Sequence, residues 1–168
     1  SLKKEAKYGN YFLDELQKWF PRCRITYIEG NHCYRLDRYI RANAPALDGI
    51  EGLSTKSLLH LQERGIHHVP YGPKQIEKCG HANLWLRHEP THGGENHSKN
   101  TASRSSVDLA YGHTHSYQQY TFRNIGPRVS HVTATSLGFL GNIDAPIFDY
   151  RGSKDIWSSG FGIVLCDT

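Results

Sequence analysis

Val107-Asp-Leu-Ala-Tyr111-Gly-His-Thr-His115 is the stretch on which the fold turns. Its first five residues read as a short β-strand, and a polar Gly-His-Thr-His loop sits directly on the strand's end. In an extended segment the two histidines of His-x-His point to one side, so a single short loop can serve two adjacent ions. The same plan occurs twice upstream. Ile25-Thr-Tyr-Ile28 leads into Gly30-Asn31-His32, and Asn83-Leu-Trp-Leu86 leads into His88-Glu-Pro-Thr-His92-Gly93. Glycine allows the sharp turn, Asn31 offers a carbonyl oxygen to a metal, and His32 can donate to a phosphate oxygen. Taken singly, each group also reads as an ordinary turn or surface histidine. Their order, each at the end of an apolar strand, is what points to a site, because α/β folds gather ligands at strand C-termini.

The rest of the chain supports a mixed α/β architecture rather than a helix bundle. Tyr8, Phe12, Leu16 and Trp19 recur at helical spacing and Pro21 stops them, which predicts an amphipathic helix over 3–20 with Gly9 as a weak spot. Leu36, Tyr39 and Ile40 mark a second helix closing near Pro45. Ser54 can cap a third, carrying Leu58 and Leu61 and ending at Gly65. From Tyr117 onward, Val129–Thr135 and Gly162–Leu165 read as strands separated by Gly, Pro and Asp turns. No internal repeat, low-complexity tract or linker interrupts the chain, so one domain over 1–168 is expected.

Bulk properties narrow the function classes. The chain has 168 residues, a formal charge of +4 and no methionine, which suggests a processed or trimmed fragment. That charge suits a phosphate-bearing substrate without demanding one. No apolar run is long enough to span a membrane and no signal peptide opens the chain, so a cytoplasmic protein is expected. The four cysteines, Cys23, Cys33, Cys79 and Cys166, form no Cys-x-x-Cys pair, which argues against a structural zinc knuckle or a disulfide scaffold. Eleven histidines are the unusual feature, since neutral imidazole is the commonest metal ligand. Arg35, Arg38 and Arg41, three apart on the second predicted helix, read either as a solvated face or as a phosphate clamp with Arg35 nearest the Gly-Asn-His turn.

Glu29-Gly-Asn-His-Cys-Tyr-Arg35, the strand with His88 and His92-Gly93, and Tyr111-Gly-His-Thr-His115 resemble the later signature blocks of the calcineurin-like metallophosphoesterases. Arg35 and Trp157-Ser-Ser-Gly160-Phe161 are similar to features of the phage and bacterial group. The resemblance implies an αββα sandwich of mixed sheets, incomplete at its N-terminus. It also implies a hydrolase of phosphate mono- or diesters, a phosphatase or phosphodiesterase, whose substrate could be a nucleotide or nucleic acid. Two divalent ions, of Mn, Fe, Zn, Ni or Mg, would serve it. Asn31, the strand-end histidine and His113 would ligate one ion and His115 the other. Both His88 and His92 are candidates: His88 sits where the strand ends, and His92 has the family's His-Gly pair. His32 would protonate the leaving group, and Arg35 with Arg38 would bind substrate. Cys33 stands where the family has an acidic residue, which would loosen the orientation of His32.

The chain contains neither an Asp-x-His nor a Gly-Asp pair, the family's early blocks. Without their carboxylates, metal affinity should fall greatly, and a weakly active or inactive chain is expected. Sheet edges left open by missing strands would favour association. The alternative is a degenerate, non-catalytic module that binds nucleic acid or a protein partner through its basic, histidine-rich surface.

Overall fold

The computed structural model describes residues 2–80, 83–124, 130–142, 144 and 156–165. The chain divides into two compact units, Ser1–Pro73 and Lys74–Thr168, each described by itself. Both are mixed α/β. Among the described residues, no helix is long and apolar enough to cross a membrane.

The first unit opens with helix α1, Leu2–Trp19, with Glu5 in its first turn and Lys18 in its last, both favourable to the helix dipole. Strand β1 (Thr26–Ile28), helix α2 (Arg35–Asn43), a 3-10 turn at Pro45–Leu47, a short helix α3 (Thr55–Leu58) and strand β2 (His67–Val69) follow. The strands β1 and β2 run parallel, with Thr26 opposite His67 and Ile28 opposite Val69. Leu13, Leu59, Leu61 and Ile66 form the core, with Leu16, Ile25 and Tyr27 packed against it. Gly9 is a point of close approach, because a Cβ there would lie 2.8 Å from Leu59 Cδ2. Arg64 fastens α1 to the turn after α3: its guanidinium reaches Asp14 Oδ1 at 2.6 Å, Gln17 Oε1 at 3.1 Å and Asn10 Oδ1 at 3.2 Å.

Ser54 caps α3, its Oγ accepting from the Ser57 N–H at 3.2 Å. The helix is nonetheless shorter than the expected run to Gly65. His60 takes a left-handed backbone (φ 51°), and the chain continues to Gly65 as turns. Strand β2 lay outside the sequence expectation.

The second unit is built on a five-stranded sheet. Its elements are β3 (Glu77–Lys78), β4 (Leu84–Arg87), α4 (His97–Ala102), β5 (Asp108–Tyr111), β6 (Tyr117–Asn124) and β7 (Ser130–Leu137). The order across the sheet is β3-β4-β5-β7-β6. β4, β5 and β7 run parallel, while β3 and β6 lie antiparallel to their neighbours. Ala102, Tyr111 and Ala134 form the core under α4, with Phe122 against it. Leu109, Ala110 and Tyr111 are all buried, as befits a strand covered on both faces. Gly162–Leu165, expected as a strand, is irregular, and among the described residues the pairing nearby is a single bridge between Phe139 and Ser159. Of the expected strand over 129–135, Val129 lies outside the described residues.

Candidate functional site

In the first unit, the chain leaves β1 and turns at once. The amides of Cys33 and Tyr34 both donate to the Gly30 carbonyl, at 3.0 and 3.1 Å, and α2 begins directly after them. Asn31 is half-buried and His32 exposed. Arg35 bends back, its Nε donating to the His32 carbonyl at 3.1 Å while Nη2 lies 3.9 Å from Glu5 Oε2. Arg41 is engaged with Asp48 at 3.4 Å and with Tyr34 Oη at 3.3 Å. Arg35, Arg38 and Arg41 are all exposed along α2. Cys33 Sγ lies 3.0 Å from Tyr27 Oη, and burial, together with that thiol, holds the phenol well above its usual pKa. Glu29 is buried and accepts from the Tyr71 N–H at 3.1 Å, with His68 Nε2 3.4 Å from the same oxygen.

In the second unit, strand register creates the site. Arg87 pairs with Tyr111 across β4 and β5, and the ladder runs one step further: the Gly112 N–H donates to the His88 carbonyl at 3.1 Å. That step sets His88 beside the Gly112–His115 loop. His113 Nδ1 then lies 3.3 Å from His88 Nε2, the rings meeting edge to face. Glu89 Oε1 is 3.7 Å from the same His113 nitrogen. His92 instead lies near its neighbour, its Nδ1 3.3 Å from Thr91 Oγ1. His88 is therefore the histidine that meets His113.

The loop is not extended, which changes the expected geometry of His-x-His. His113 (φ 65°) and His115 (φ 58°) both take left-handed backbone conformations, each costing about 1–3 kcal/mol unless the surroundings hold it. The His115 ring stacks on Phe139, with centroids 5.0 Å apart, and meets the edge of Trp157 at 4.7 Å. The Ser158 N–H donates to the His115 carbonyl at 2.7 Å, so the Trp157-Ser158 segment clamps the loop's far end. Thr114 Oγ1 lies 2.8 Å from Ser136 Oγ, and Ser136 donates to the Ser116 carbonyl at 2.6 Å.

Behind the loop sits His97, which the sequence did not single out. It is 4% exposed. Its Nδ1 is 2.8 Å from Tyr111 Oη and its Nε2 3.1 Å from Ser116 Oγ. Burial lowers the His97 pKa, and burial pushes the Tyr111 phenol up to about 12. No spacing rule could have found His97. Its signal is that a polar ring fills a core position, visible only once the chain is folded.

The His88–His113 pair fits one edge of a coordination shell. Metal–nitrogen bonds of about 2.0–2.1 Å at a tetrahedral angle separate two ring nitrogens by roughly 3.3 Å. Among the described residues, no three His, Cys, Asp or Glu side chains are grouped so as to hold an ion. Asn31, His32, Arg35 and Arg38 belong to the first unit, and His88, His92, His113 and His115 to the second. Comparison with protein families, with characterised proteins and with solved structures finds no match to this chain.

Proposed function

We propose that the chain belongs to the metallophosphoesterase type and serves the hydrolysis of phosphate mono- or diesters, its units being parts of the αββα sandwich that the motifs imply. The observation that carries this reading is the His88–His113 pair, 3.3 Å apart at the ends of adjacent parallel strands. Two imidazole nitrogens so placed suit Fe, Zn or Ni better than Mg, and Mn, a harder ion, would rely on oxygen ligands as well. Such an ion would polarise a phosphoryl oxygen and lower the pKa of bound water. By the motif resemblance, Asn31 and His115 are further ligands, His32 is the acid that protonates the leaving oxygen, and Arg35 and Arg38 bind phosphoryl oxygens. Arg35, already turned back onto the His32 carbonyl, suits that task by its forked donors.

The chain carries neither an Asp-x-His nor a Gly-Asp pair, and fewer carboxylate ligands weaken the hold on a divalent ion. Manganese-dependent hydrolysis of bis(p-nitrophenyl) phosphate is expected to be slow, and to vanish in both His88→Ala and His113→Ala. Turnover unchanged in the two variants refutes the assignment. The exposed arginines along α2 favour a second reading, a non-catalytic module of the same type that binds nucleic acid or a protein partner. Ion binding without any hydrolysis would move the balance to it.

A further inference from the structure

The Gly112–His115 loop is bracketed by two residues that share one buried partner. Tyr111 precedes Gly112 and Ser116 follows His115, and the His97 ring stands between them, 2.8 Å from the phenol oxygen and 3.1 Å from the serine oxygen. Both ring nitrogens are thereby used, so His97 is itself no ligand. It acts as a chord across the loop. We propose that His97 is a positioning residue that holds the ends of this loop at the spacing in which His113 meets His88, and this rests on the reading of that pair as metal-ligating.

Three observations carry the inference. The loop has little secondary structure of its own and contains two non-glycine residues in left-handed conformations, so tertiary contacts must hold it. His97, Ser116 and Tyr111 are each at least nine-tenths buried, so losing one partner leaves a buried polar group unsatisfied at a cost. His97 and Ser116 also line a pocket of about 500 Å³ together with His113, Glu89 and Gln118, so a shift of the chord is felt where His113 is presented. The paired nitrogens tolerate little displacement, because metal–ligand distances are held to within about 0.2 Å. Outer partners that orient ligands typically matter by about 10–100-fold in metal affinity. His97 acts one step further out, and about tenfold is expected.

The test uses the whole chain and two readouts. The first is the ring nitrogen spectrum of ¹⁵N-histidine-labelled protein without metal, including the pH titration of the His113 ring. The second is a calorimetric titration with zinc chloride. His97→Gln, His97→Leu, Tyr111→Phe and Ser116→Ala are compared with wild type; the last two each delete a hydrogen bond to His97 and remain informative should the His97 variants fail to fold. In folded variants the His113 ring signal should move and zinc affinity should drop about tenfold, with His97→Gln, which keeps an amide, closer to wild type than His97→Leu. A His113 ring signal unchanged in the folded variants, or zinc affinity unchanged from a wild type that binds, overturns the proposal. A wild type that binds no zinc removes the metal reading instead, and the ring signals then decide on His97 alone.

Discussion

At the scale of single residues, the loop histidines show how far backbone conformation can redirect a motif. Two histidines spaced by one residue share a side only in extended backbone. Left-handed conformations at His113 and His115 send one ring to His88 and the other to Phe139 and Trp157. His97 sets a pH dependence. Its pKa in the folded chain lies below the ordinary value of about 6.5, so the unfolded chain takes up a proton that the folded one resists. The stability tied to neutral His97 is fully present above about pH 6.5, and is lost as pH falls from there through the lower folded pKa. The titratable groups around it are Tyr111, protonated throughout this range, and the pocket residues Glu89, Glu95 and His113. Urea midpoints measured from pH 8 to pH 5 should show wild type losing its advantage over His97→Gln toward the acidic end. A constant gap would contradict the assignment of the lowered pKa to burial.

Helices and strands sort by whether their burial follows a period. α1 was legible as a helix because apolar residues recur along it and Pro21 ends it, but its buried residue is Leu13, while Tyr8, Phe12 and Trp19 of the expected stripe are exposed. α4 was not, since its buried residues are His97, Ser98, Thr101 and Ala102, and no apolar stripe marks them. β4 and β5 stood out as short apolar runs, whereas β2, His67-His68-Val69, has only one buried apolar residue. Gly162–Leu165 shows the opposite failure: an apolar run rich in strand formers that stays irregular, with Ile163 and Leu165 largely exposed. In the first unit, Leu61 is fully buried among Leu13, Leu59 and Ile66, beside the turn that Arg64 fastens. Leu61→Ala should cost about 2–5 kcal/mol, read as a lower urea midpoint at unchanged slope. A loss under roughly 0.5 kcal/mol would mean that this cluster is not the core of the unit.

At the scale of the whole molecule, charge separates the two functional readings. A net charge of +4 on 168 residues exerts only a weak general pull on nucleic acid. A phosphoesterase acting on small esters should therefore bind duplex DNA weakly, with affinity falling only gently as salt rises. A log–log slope near −6 or steeper, together with no hydrolysis, would instead indicate a surface that neutralises about seven phosphates. That result would favour the binding module.

Local chemistry alone determined which segments become α1, α2, β1, β4 and β5, and that polar groups follow three of the strands, because period and turn residues act over a few positions. Which histidines meet was decided by tertiary structure. The register of β4 against β5 sets His88 beside Gly112, a relation between residues far apart in the chain that no local pattern encodes. The role of His97 was decided in the same way: a polar ring becomes a structural chord only when folding removes water from around it and leaves Tyr111 and Ser116 as its partners.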